Sequence, residues 1–395
     1  MKIREDSEMN LALERPIRVM RIIARMNIGG PAIQISGLIR GLNSVEFEHR
    51  LYTGFCGADE ADYLETIATD VEVVRIVGFG KRLNLGGDIK AFLTLVSEIR
   101  KFQPDIIHTH TAKAGALGRI ASLISFHPSI RIHTFHGHLL NGYFGPFKRL
   151  LVVIVEKFLA VFTHKLLAVG NQVRKDLLHA GIGRIEKFGL MPPGLMIGTL
   201  PNKSQSQKSL GLSASRIQCA FIGRVTQIKR PDRFLDVVSE IKRRQVDLDF
   251  FIAGNGELLD ACIKRIADES LPVSVLGWQS DIERLLSAAD IVVLTSDNEG
   301  TPLSLIQAGM AGLPVVTTNV GSVPDVVLDG VTGMVTGLGA QEIADALEKL
   351  VKDQGLRTKL GTAANVFTLS NFGTERLVHD HEELYKEMLA SRAKS

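Results

Sequence analysis

The sequence predicts an α/β protein made of two Rossmann-like domains, each a doubly wound parallel sheet, facing a cleft. Three observations carry this. Short apolar, β-branched runs such as Ile217–Ile222 and Asp290–Thr295 alternate with segments of helical periodicity, as in repeated βα units. The alternation breaks in a Gly-, Pro- and Ser-rich stretch, Phe188–Leu212, and then restarts. At 395 residues the chain is long enough for two domains.

In the first half, Val19–Ala24 reads as the opening strand, after an N-terminal arm (1–16) expected to be mobile. It feeds Gly29-Gly30 and a helix from Ala32 to Leu42; paired glycines there let a ligand approach the backbone. Strands follow at His49–Gly54, Val71–Val77, Pro104–His110, Ile130–Phe135 and Leu166–Val169, and helices at Ile89–Phe102, from Thr111, at Leu150–Phe162 and at Gln172–His179. His108, His110, His133, His136 and His138 fall mostly near strand ends, where α/β proteins bind ligands. Metal ligation, ordinary hydrogen bonding and carbohydrate contact are all open to them, although no HExxH or CxxC is present. Lys113, at a helix start, is a candidate for an acceptor anion. Tyr143 lies in the aromatic, basic stretch Asn141–Arg149, which suits sugar contact, membrane-interface contact or a capped core helix.

In the second half, Ile217–Ile222 leads into Gly223-Arg224 and Lys229, two cations placed to clamp a diphosphate. Asp249–Ala253 ends in a second glycine loop containing Gly254. Asp247-Leu-Asp249 has the form of a DxD metal motif, but it enters a buried strand rather than leaving one, and is rejected. Val273–Leu276 precedes Trp278, which packs on a base or fills the domain surface. Helices are expected at Gln341–Lys352, Leu356–Val366 and Thr374–Leu389, the last with Leu377, Leu384, Tyr385, Met388 and Leu389 on one face.

The central stretch is Ser296–Asp325. After the strand Asp290–Thr295 come loop formers, then Pro302 at a helix start, then Leu303, Leu305, Ile306 and Met310 at helical spacing, then Gly312, Pro314 and a strand from Val315. A helix that begins beside the carboxyl end of a parallel strand aims unpaired amides at the crevice, here those around Gly300, Thr301 and Leu303. Such amides favour a phosphate. Glu299 is expected at the lip, because a lone carboxylate is rarely buried.

Glu299-Gly-Thr-Pro302, Gln307-Ala-Gly-Met-Ala-Gly-Leu-Pro-Val-Val316 and Val320–Asp325 together resemble the nucleotide-sugar motif of glycosyltransferase family 4, retaining enzymes with the GT-B fold. The resemblance covers nearly the whole chain from Ile17. It implies an acceptor domain at 17–195, a donor domain at 196–373 and a C-terminal helix at 374–395 that crosses back to the first domain. It also implies that Arg224 and Lys229 bind the donor diphosphate, that His136 lies against the transferred sugar with Glu299, and that Gly29 and Gly30 form the glycine-rich first loop. Gly254, Trp278, Gly300, Thr301, Pro302 and Leu303 complete the donor site, and Thr332–Val335 resembles the closing strand. The family pattern places a second glutamate after seven intervening residues; here that position is Gln307.

Composition bounds the rest. Hydrophobic residues make up 45% and charged residues 23%, as in a folded protein, and the net charge of +3 is too small to point to nucleic acid. Three scattered cysteines form no disulfide framework and fit a reducing compartment. No uncharged stretch is long enough to span a bilayer. The expectation is a cytoplasmic glycosyltransferase that takes a UDP-linked sugar, needs no metal or other cofactor, and acts on a glycan or lipid-linked acceptor with peripheral contact to the inner membrane surface. The rivals are a nucleotide-sugar 2-epimerase of the same fold, and a binding protein without turnover, which Gln307 makes conceivable.

Overall fold

The computed structural model describes residues 15–57, 60–80, 84–137 and 146–393, the side chains of 146 and 147 excepted. The remainder, including most of the expected N-terminal arm, His138 and Tyr143, lies outside the described residues. The chain divides into two compact units, Met1–Gly194 with Thr374–Ser395, and Leu195–Gly373.

Unit 1 holds strands β1 (Ile17–Ile23), β2 (Phe47–Thr53), β3 (Val73–Arg75), β4 (Ile106–His110), β5 (Ile130–Phe135), β6 (Lys165–Ala168) and β7 (Phe188–Leu190). Their order is β3-β2-β1-β4-β5-β6-β7, with every pairing parallel. Its helices include α1 (Gly30–Gly41), α2 (Leu85–Phe102), α3 (Ala112–Ile124), α4 (Pro146–Phe162) and α5 (Asn171–His179). Parallel strands need crossover helices, which here bury Ile35 and Leu38 of α1 and Leu95 and Ile99 of α2. The expected strand at 71–77 shrinks to three residues, and Val77 is exposed.

Unit 2 holds β8 (Ile217–Ile222), β9 (Leu248–Ala253), β10 (Val273–Gly277), β11 (Ile291–Leu294), β12 (Val315–Thr318) and β13 (Met334–Thr336), in the order β10-β9-β8-β11-β12-β13. All pairings are again parallel. Around it lie α6 (Pro231–Arg243), α7 (Leu259–Asp268), α8 (Leu303–Met310), α9 (Ala340–Lys352) and α10 (Gln354–Phe372). One core joins Phe221, Phe234, Phe250, Ile291, Val316 and Leu347.

In both sheets the strand order reverses beside the first strand, between β1 and β4 and between β8 and β11. Ligands of open α/β sheets bind outside the carboxyl ends of the strands at such a reversal. Gly29, Gly30 and His110 lie at the first; Lys229 and Glu299 lie at the second.

One expectation needs correction. The stretch 188–212 is not linker throughout. Phe188–Leu190 completes the first sheet, Met191 N–H donates to Ala168, and polar Lys203–Ser209 forms a short helix capped by Asn202 Oδ1. Its composition signals caps and turns as readily as a hinge. The last helix, α11 (Thr374–Ala393), belongs to unit 1, where Leu377, Leu384 and Tyr385 pack with Val19, Phe47 and Ile106.

Candidate functional site

In unit 2 the loops after β8, β9 and β11 are stitched into one rigid edge. Gly223 and Gly254 touch backbone to backbone: a Cβ on Gly254 would lie 1.8 Å from the Gly223 carbonyl oxygen. Val225 N–H donates to Asn255, and Gly254 N–H to Gly277. The loop after β8 is tied to the loop after β11, since Asp297 N–H donates to Ile228 at 2.9 Å and Thr295 Oγ1 donates to the Arg230 carbonyl at 3.0 Å. Asp297 accepts from Arg230 at 3.1 Å and from buried Arg233 at 2.7 Å.

This edge brings Lys229 and Glu299 together. Lys229 Nζ meets Glu299 Oε1 at 2.5 Å, and Ser296 Oγ donates to the same oxygen at 2.5 Å. The sequence reading gave these two residues separate ligand groups and put Glu299 at the lip. Glu299 is instead buried, at 7% exposure, because Lys229 and Ser296 satisfy the charge that would otherwise bar it. Gly321 holds the carboxylate's backbone from the far side. At φ +53° its absent Cβ would stand 2.0 Å from the Glu299 carbonyl oxygen, to which Ser322 N–H donates at 2.9 Å.

After Glu299, the chain runs through Gly300 and Thr301 to Pro302, the N-cap of α8. No side chain caps that helix, and its first-turn amides, beginning with Leu303, are the donors an anion uses. Arg224 is exposed and forms no ion pair among the described residues. The Gln307 side chain makes no hydrogen bond among them either, so its amide is uncommitted. Trp278 follows the end of β10 and is 54% exposed. Asp249 and Asp247 pair with Arg216, in keeping with rejection of the DxD reading.

In unit 1 three of the candidate histidines are interior. His108, His110 and His133 have no exposed surface. His108 accepts at Nδ1 from Tyr385 (2.7 Å) and from Arg21 (3.4 Å); because Arg21 can only donate, His108 Nε2–H donates to Thr134 at 2.7 Å. His133 Nδ1 meets Thr109 Oγ1 at 2.8 Å. Sugar contact by His108 and His133 is therefore corrected: their strands are buried on both faces, so proximity to a strand end did not bring exposure. His136, past the end of β5, is partly exposed, and its Nε2 meets His110 Nδ1 at 2.9 Å. Burial lowers the His136 pKa to about 4, and it pushes those of His108, His110 and His133 well below the usual range. Among the described residues no group of three or more His, Cys, Asp or Glu could hold a metal ion.

Lys113 is neither solvated nor poised for an anion alone, since it pairs with Asp88 at 2.5 Å. Gly29, extended, is the N-cap of α1, and Gly30 begins the helix. Sequence reasoning missed Arg21, Arg233, Asp297 and Gly321. Arg21 was the one with a signal, a cation in the apolar middle of a strand.

Two Rossmann-like sheets, with a carboxylate–lysine pair, an uncapped helix start and glycine loops gathered at one strand reversal, define a nucleotide-sugar transferase class of site. Two family models match in succession, Glycosyltransferase Family 4 over residues 28–195 and Glycosyl transferases group 1 over residues 202–366. The chain belongs to glycosyltransferase family 4 and is a GT-B glycosyltransferase. The UDP-Gal:alpha-D-GlcNAc-diphosphoundecaprenol alpha-1,3-galactosyltransferase of Escherichia coli is 28% identical over 79% of this chain and 83% of its own. The capsular polysaccharide biosynthesis glycosyltransferase CapM of Staphylococcus aureus is 23% identical over 81% and 86%. The Anabaena protein Alr3699/HepE, solved with UDP and glucose, superposes with a TM-score of 0.79 at 19% identity, covering 94% of this chain and 100% of that one. No helix among the described residues is long and apolar enough to cross a membrane.

Proposed function

We propose that the enzyme transfers a sugar from a UDP-sugar to a lipid-linked glycan with retention of anomeric configuration, in the synthesis of a cell-surface polysaccharide. The observation that carries this reading is the Lys229–Glu299 pair beside the uncapped start of α8. The substrates in the name of the Escherichia coli relative support the donor and the acceptor class, and the UDP in the Anabaena complex supports the nucleotide.

The chemistry follows from charge. The bond from the anomeric carbon to the diphosphate breaks, the acceptor oxygen attacks from the same face, and its proton passes to the departing phosphate oxygen. Negative charge grows on the diphosphate as that bond breaks. In this reading Arg224, Lys229 and the amides at the start of α8, from Leu303, stabilise it without a metal. Bound diphosphate competes with Glu299 for Lys229, leaving the carboxylate to bind the sugar hydroxyls. In unit 1, His136 is neutral at physiological pH and able to hydrogen-bond a hydroxyl.

The test is a panel of UDP-sugars with a polyprenyl-diphosphate-linked N-acetylglucosamine acceptor, in excess EDTA. A new glycoside with the donor's anomeric configuration by NMR is expected. Conversion of the donor without acceptor would mean an epimerase. Donor binding without product across the panel would mean a binding protein. Loss of activity in EDTA with rescue by Mn²⁺ would overturn the metal-free account.

A further inference from the structure

Helix α4 is amphipathic in the reverse sense for a helix on the outside of a domain. Its buried face centres on Glu156, which lies at 2% exposure and takes both its oxygens to Arg119 NH2 of α3, at 2.7 and 2.8 Å. Leu159, Ala160 and Thr163 share that face. At 3.6 residues per turn, the opposite face carries Leu150, Leu151, Ile154, Phe158, Val161 and Phe162. These six are between 40% and 68% exposed, and no polar residue interrupts the row. The buried Arg119–Glu156 pair fixes the rotation of the helix and so keeps the row outward.

Charge says what covers it. Exposed Lys148 and Lys157 border the row on its two sides, while the one acidic residue of α4, Glu156, is sequestered underneath. We propose that this face docks on an anionic lipid bilayer, with the apolar row in the acyl boundary and the two lysines at the headgroups. A second copy of the chain would set these cations against their own duplicates across a two-fold axis, a repulsive pairing. The helix begins at the carboxyl edge of β5, the edge that carries His136. Docking there would hold the sugar-contacting edge of unit 1 at headgroup depth, where a lipid-linked diphosphate lies. That consequence rests on the acceptor reading above; the docking itself does not.

The experiment is sedimentation with vesicles of phosphatidylcholine alone or mixed with phosphatidylglycerol. Wild type is expected to sediment with the mixed vesicles, weakly with the neutral ones, and less as salt rises. An Ile154→Ser/Phe158→Ser double variant should lose vesicle affinity by about tenfold or more, with unchanged thermal unfolding. Should that variant misfold, Phe158→Trp keeps the proposal open to test, since its fluorescence must be quenched by brominated lipids. Absence of binding to anionic vesicles, wild-type affinity in a folded double variant, or no quenching would overturn it. So would a wild-type dimer that the double variant dissolves, which would assign the face to a second copy. UDP binding by calorimetry is read in parallel: its absence in wild type would sink the transferase reading and leave the vesicle result standing.

Discussion

All eleven histidines of the chain lie in unit 1, and unit 2 contains none. Mild acid should therefore unfold one half of the molecule and spare the other. Burial and the neighbouring Arg21 charge lower the pKa values of His49 and His381 from 6.5 to about 3, and burial alone lowers that of His136 to about 4. For these bases the folded value lies below the unfolded one, so between the two the unfolded chain binds more protons. Their contribution to stability is complete above pH 6.5 and is lost progressively as pH falls toward 3. At pH 5 each of the three costs about 2 kcal/mol, and together about 6 kcal/mol, comparable with the whole stability of a typical domain. His108, His110 and His133 act in the same direction. Hydrogen exchange with mass analysis at pH 7.5 and 5, corrected for intrinsic rates, reads the two units separately. Peptides from β4, β5 and α11 should lose protection at pH 5, while those from β8, β11 and α9 keep it. Equal loss in both units, or full protection of β4 and β5 at pH 5, would refute the reasoning.

Lys229→Ala and Arg224→Ala should each lower kcat/KM by roughly 2–4 kcal/mol of transition-state stabilisation; near-normal turnover in both would remove the diphosphate assignment. Gln307→Glu should tighten donor binding by about tenfold or less with kcat unchanged, because a carboxylate adds charge assistance to a contact remote from the breaking bond. A gain in kcat beyond about a hundredfold would show that this contact serves the chemistry. Gly321→Ala should displace the Glu299 loop, lowering both the melting temperature and UDP affinity by calorimetry, since its Cβ would stand 2.0 Å from the Glu299 carbonyl oxygen; unchanged values of both would mean that the loop is not clamped there.

The fold was legible because buried parallel strands advertise themselves. Ile291–Leu294 is an unbroken apolar run, Ile217–Ile222 is apolar but for Gln218, and each is followed by a glycine or polar turn. The helix start at Pro302 was legible for the same local reason. What the sequence hid was pairing. Glu299 and Lys229 stand seventy positions apart, and no local pattern says that they touch at 2.5 Å or that burial of one depends on the other. Asp297, Arg230 and Arg233 hide in the same way, since a loop aspartate and two basic residues at a helix start read as solvated surface. The histidines misled in the opposite direction. Their positions along the strands were right, but strands buried on both faces turn His108 and His133 into core residues with hydrogen-bond partners.

The docking of α11 has a consequence for how the chain comes off the ribosome. Tyr385 fills the core of unit 1 and donates to His108, yet some two hundred and seventy-seven residues separate them. Everything needed for unit 2 has been synthesised before the first residue of α11 appears. Domains commonly mature in the order of translation. Here the second can close its core while the first still waits, with the apolar strip of Val19, Phe47 and Ile106 uncovered until α11 arrives. The earliest-made half of the enzyme is thus the last to be finished, and its exposed strip is where a chaperone would be needed during synthesis.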